Sequence, residues 1–123
     1  MREIKFRAWD IDQTIREVYA VDWFYGKVSM SHVSGYPHER NLADIVLMQY
    51  TGLKDRNGKE IYEGDIVRIH RYRNSKSEGN SVVEWYKEDA CFAMIVDGWE
   101  VWHFMVRNLS DFEVIGNIYE KED

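Results

Sequence analysis

Two dipeptides constrain this chain more than any other feature: Asn57-Gly58, set between charged residues, and Asp97-Gly98, set between strand-like runs. Asn, Asp and Gly accept the positive φ that tight hairpin turns demand, so such pairs predict antiparallel strands on either side. The flanking pattern agrees. Ile4 to Trp9 alternates apolar and charged side chains, with Ile4, Phe6 and Ala8 on one face and Lys5 and Arg7 on the other. Residues 10–14 read as a turn, 17–22 and 23–30 as strands with a kink at Gly26, and 31–41 as a polar loop.

Further along, residues 42–50 present Leu42, Ile45 and Val46 at a spacing that suits a helix. The run Ile45 to Met48, followed by Tyr50 and Thr51, suits a buried strand better, and strand is the expectation. A turn at Gly64-Asp65 leads into a strand over 66–72, and 73–81 is apolar-free and reads as a loop. Strands are expected at 82–86, 90–96, 99–106 and 112–119. Eighteen aromatics and a single Pro in 123 residues favour this assignment, because aromatic side chains pack well on a pleated surface. The expected fold is mainly β: a small antiparallel barrel-like or packed-sheet domain with little helix, spanning 1–123 with subregions 1–44 and 45–119.

Charge and cysteine usage narrow the function classes. A net charge of −6 excludes a wholly basic nucleic-acid coat. Cys91 is alone, so no intramolecular disulfide forms, which favours a reducing compartment. The N-terminus carries no apolar signal segment, and no apolar run approaches the roughly 20 residues of a membrane span. A cytoplasmic protein that does not enter membranes is the expectation.

Three segments together carry a resemblance: IKFRAWD at 4–10, LMQYTGLKDRNGKEIYEGDIV at 47–67, and EVIGNIYE at 113–120. In order and spacing they resemble the YopX-like proteins of bacteriophages and prophages. The resemblance implies a β-rich, phage-derived accessory protein in the cytoplasm, with self-association expected and no reaction, cofactor or catalytic residue to carry over.

The residues themselves support no catalytic assignment. Gly52, Gly58 and Gly64 recur every six residues, but Gly58-Lys59 is followed by Glu60 where a P-loop requires Ser or Thr, and Glu63 and Asp65 would repel a phosphate. They read as turn glycines, with Asp65 bonding backbone amides in its own turn. His32, His38, His70 and His103 form no zinc pattern, so no metal is expected. Cys91, between Ala90 and Phe92, reads as a small buried hydrophobe.

Two stretches point to binding instead. Arg68, Arg71, Arg73 and Lys76, with Tyr72 interleaved, form an acid-free segment over 68–76 that suits a nucleic-acid backbone with base stacking. Arg68 and Tyr72 share one strand face while Arg71 and Arg73 take the other, which divides the positive charge. Trp99, Trp102 and Phe104 belong to a strand apolar on both faces, suited to a core or to self-association. The expected function is therefore binding or homo-oligomeric assembly without a cofactor, not enzymatic catalysis, with a nucleic-acid-binding module as the alternative.

Overall fold

Alternation of apolar and polar side chains gives each strand one face to bury, and this chain builds two antiparallel sheets that way. The computed structural model describes residues 3–72, 77–96, 100–104 and 111–120, with backbone alone at 71, 72, 77–79, 100 and 101. Its strands are β1 (Phe6–Trp9), β2 (Ile15–Asp22), β3 (Lys27–Met30), β4 (His38–Asn41), β5 (Val46–Lys54), β6 (Glu60–Tyr62), β7 (Asp65–Tyr72), β8 (Ser77–Tyr86), β9 (Cys91–Val96), β10 (Glu100–His103) and β11 (Phe112–Asn117). A single 3-10 turn, Leu42–Asp44, is the only helical element of three or more residues among the described residues.

The first sheet is six-stranded in the order β4-β3-β2-β1-β5-β6, and the second is five-stranded in the order β10-β9-β8-β7-β11. All described pairings are antiparallel. The mainly β expectation holds as two open antiparallel sheets; the described strands do not close into a barrel. The first sheet takes strands from both sides of residues 44 and 45, and the chain changes sheets at Glu63-Gly64.

Each sheet has its own core. Val67, Ile69, Val83, Met94, Val96 and Phe112 of the second sheet bury against one another, with Ile61 of β6 and Leu53 of β5 closing over them. In the first sheet, a register shift between Val18 and Ala20 bends β2. Ala8, Val28 and Met30 form a smaller core there, with Leu42 and Ile45 packed against it.

Several expectations need correction. Residues 23–26 are a turn, not strand: the Asp22 carboxylate accepts the backbone N–H groups of Phe24 and Tyr25, each at 3.0 Å, and Gly26 takes φ +66°. The loop expected over 31–41 ends in β4, which pairs with β3 from Lys27↔Asn41 to Met30↔His38. Ser77 to Ser81, expected as loop, pairs with β7, because a strand stabilised by its neighbour does not need apolar residues of its own. At Asn57-Gly58 only Gly58 has positive φ, +79°. The turn is wider than a two-residue hairpin: Gly58 N–H donates to Asp55 O at 3.0 Å and Asp55 N–H to Lys59 O at 2.8 Å. The loop expected at 73–76 and the turn at Asp97-Gly98 lie outside the described residues.

Candidate functional site

The central block, 47–67, works as a joint. Asp55 Oδ1 accepts the N–H groups of Asn57 at 2.8 Å and Lys59 at 2.9 Å, while Oδ2 accepts Val114 N–H of β11 at 2.8 Å. One carboxylate thus shapes a turn and ties the first sheet to the second. Burial opposes its ionisation, but those three amides more than offset this and hold the Asp55 carboxyl below the usual carboxylate range. Asp65 repeats the device. It accepts Tyr62 N–H at 2.8 Å and pairs with the Arg7 guanidinium at 2.5 Å. Here burial dominates and pushes the carboxyl up, with Arg7 and the amide offsetting it only in part. Arg7 also lies over the Tyr62 ring at 4.6 Å, and Lys5, paired with Glu60, lies over Tyr50 at 5.2 Å.

A second buried cluster sits at the first turn. Asp10 is fully buried and receives Arg16 Nε and Arg40 Nε, each at 3.0 Å, plus the Ile11 amide at 2.8 Å. Burial opposes the charge of Asp10, yet these donors hold its carboxyl below the usual range. Arg16 also pairs with Asp12. Every one of these charged groups is engaged by a neighbour in the fold, so their evident role is architectural.

The exposed chemistry lies elsewhere, at residues 23–25, whose composition favours a strand. Trp23, Phe24 and Tyr25 occupy the β2–β3 turn with 67%, 87% and 73% of their surface exposed. The Asp22 carboxylate bonds two amides of this turn, and Phe24 and Tyr25 meet edge to face at 4.8 Å. Beside the turn is an open hollow of about 360 Å³ lined by Ala20, Asp22, Tyr25, Lys27, Val28, Ser29 and Glu39. The signal for this turn was in the sequence: an Asp preceding three residues and a Gly, the pattern of a side-chain-capped turn.

The YopX protein family profile matches residues 5–122, nearly the whole chain. The chain belongs to the YopX family. Protein EF1440 from Enterococcus faecalis, known from its crystal structure, shares the YopX chain's fold with a TM-score of 0.65 at 22% identity, over 97% of this chain and 95% of that one. No curated protein matches it.

Within the YopX fold, the residues singled out from the sequence scatter. Arg68 lies on β7 between the core residues Val67 and Ile69, and is paired in register with Glu113 of β11. His70 Nε2 meets Glu113 Oε1 at 3.1 Å, so an acid stands within the basic stretch. Only the backbone of Arg71 and Tyr72 is described, and Arg73 and Lys76 lie outside the described residues. Trp102 and Phe104 are 8% and 5% exposed, so their area is already spent within the core of the second sheet. Trp99 lies outside the described residues.

Cys91 is half-buried, less enclosed than its apolar neighbours suggested. His32 and His38 stack at 4.8 Å, and His103 meets Asp89 at 2.7 Å. Among the described residues no three His, Cys, Asp or Glu side chains gather as metal ligands. Among those residues, too, no helix is long and apolar enough to cross a membrane.

Proposed function

We propose that this YopX chain is a phage- or prophage-derived accessory protein of the cytoplasm that acts through binding or homo-oligomeric assembly, not catalysis. The observation that carries this reading is the aromatic turn. Isolated exposed apolar residues are ordinary on a protein surface, but three large consecutive rings held by a capped turn mark a contact surface. Aromatic side chains bring much contact area at low entropic cost, which is why they dominate the energetics of interfaces. Trp102 and Phe104, suited by sequence to either a core or self-association, are enclosed in the chain's own core. The aromatic turn takes their place in the reading.

Light scattering over a tenfold concentration range tests it. The parent chain is expected to exceed its monomer mass of 14.7 kDa, and Phe24→Ser to return toward that mass without a change in melting temperature. A constant monomer mass for the parent discards the assembly arm. An oligomer untouched by Phe24→Ser moves the interface away from this turn.

A further inference from the structure

The hollow beside the aromatic turn has a chemical character that the turn alone lacks. Ala20 of β2 is paired with Ser29 of β3, and Ser29 with Glu39 of β4, so the three stand in one row across the ribbon on a shared face. The opposite face of β3 carries the buried Val28 and Met30. Ala20 and Ser29 are small and flanked by longer side chains, which is why a depression forms there. Tyr25 from the turn supplies one wall, and Asp22 and Glu39 supply carboxylates.

The charges around this depression are unequal. Glu39 is exposed, and among the described residues its side chain makes no ion pair or hydrogen bond. Asp22 uses Oδ1 on the turn amides and leaves Oδ2 without another described bond. The single cation, Lys27, is tied to Asn41 Oδ1 at 2.6 Å. Two carboxylates against one occupied ammonium leave the hollow net negative. Aromatic faces attract cations through the ring quadrupole, so Tyr25, Phe24 and Trp23 reinforce the same preference. The chain's net charge of −6 adds a longer-range attraction of the same sign.

Resting on the binding reading above, we infer that the hollow formed by Ala20, Ser29, Glu39, Asp22 and Tyr25 seats an arginine or lysine side chain of a partner polypeptide, whose neighbouring apolar residues cover the aromatic turn. At about 360 Å³ the space is at the small end of ligand sites and suits one long side chain. A guanidinium satisfies it best, because its planar fork bonds a carboxylate bidentately while its face stacks on an aromatic ring. Charge complementarity of this kind fixes register and raises the encounter rate, while the buried rings supply the affinity.

The test uses the full chain and a short synthetic peptide alternating Arg and Leu, with a Glu-Leu peptide as its counterpart and phosphatidylcholine vesicles as a third probe. Amide and indole resonances are followed by NMR. The Arg-Leu peptide is expected to shift residues 20, 29 and 39 and the Trp23 indole, and Glu39→Gln to weaken it about fivefold. Glu84→Gln, which removes an equal charge from an exposed position on β8, is expected to leave the affinity unchanged. Equal weakening by both variants would mean bulk charge attraction and would overturn the inference. So would equal binding of the Glu-Leu peptide, vesicles that shift the turn where the peptide does not, or a hollow already covered by a second copy. If Phe24→Ser still alters assembly while the Arg-Leu peptide leaves the hollow unshifted, this inference fails and the binding reading stands.

Discussion

The two sheets share one pairing rule and are held in different ways. The second sheet rests on a continuous apolar cluster, in which Phe112 is fully buried and meets Phe104 edge to face at 5.8 Å. Burying one such ring stabilises by roughly 2–3 kcal/mol, with no penalty for taking a charge out of water. Among the described residues, the first sheet's own apolar cluster is smaller, built on Ala8, Val28 and Met30, and beside it lie the fully buried Asp10 and the nearly buried Arg16. Its ion pairs must first offset their own desolvation, so they fix geometry more than they add stability. One half of the molecule is held mainly by area, and the other adds directed bonds to a smaller apolar cluster.

The largest expected effect breaks the apolar half. Phe112→Ala should cost about 3–5 kcal/mol, because the site is packed on all sides and leaves a cavity. Chemical denaturation measures it, and a loss near 1 kcal/mol would show that the second sheet does not depend on its cluster.

Next comes the polar half. Asp10→Asn leaves Arg16 and Arg40 facing a neutral amide and should cost about 3 kcal/mol. This variant also separates the two halves by pH. The Asp10 and Asp55 carboxyls are held below their usual value of 3.8, so their contribution is full above that pH and disappears as pH falls through their folded-state values. Asp65, pushed up by burial, acts in the opposite sense and favours the folded chain as it gains its proton. Parent stability should therefore fall below about pH 4, and Asp10→Asn should flatten that fall. An identical pH profile for the variant would remove Asp10 from the account.

The smallest effects sharpen the contrast at two glycines. Gly58 has φ +79° with open space where a side chain would go, so Gly58→Ala should cost only the backbone strain, about 1 kcal/mol. Gly64, at φ +81° on the crossing between sheets, would place a Cβ 3.2 Å from the Tyr119 ring and 3.3 Å from Met48 Sδ. Gly64→Ala should cost about 2 kcal/mol. Equal melting temperatures for the two variants would mean that the crossing is loosely packed.

Much of this architecture was legible in the residues. The alternation at 4–9 gave β1, the apolar run at 45–48 gave the start of β5, and Gly64-Asp65 gave the turn into β7. β4 was not legible, because its HERN sequence has no apolar period; the strand exists through backbone pairing with β3. The turn at 23–26 was missed as well, because Trp23, Phe24 and Tyr25 have high strand propensity and only the Asp22 cap overrides it. The candidate surface escaped for the same reason: propensity reports how well a ring packs on a sheet and says nothing of whether a sheet is there. Asp65 was read as bonding its own turn, which it does, but Arg7 lies 58 residues away in sequence, and no local pattern announces such a pairing.

The Asp55 joint has a consequence for the order of folding. Its turn is shaped locally by Asn57 and Lys59, but the bond that completes it comes from Val114, 59 residues later. Closing a span of that length carries an entropic cost that neighbouring hairpins avoid, so the β7–β8–β9 meander should form early and β11 should dock late. Until β11 arrives, Asp55 has one oxygen without its amide and β7 has an open edge. Pulse-labelled hydrogen exchange should find the Val114 amide among the last to gain protection, which makes a single carboxylate the latch that records completion of the fold.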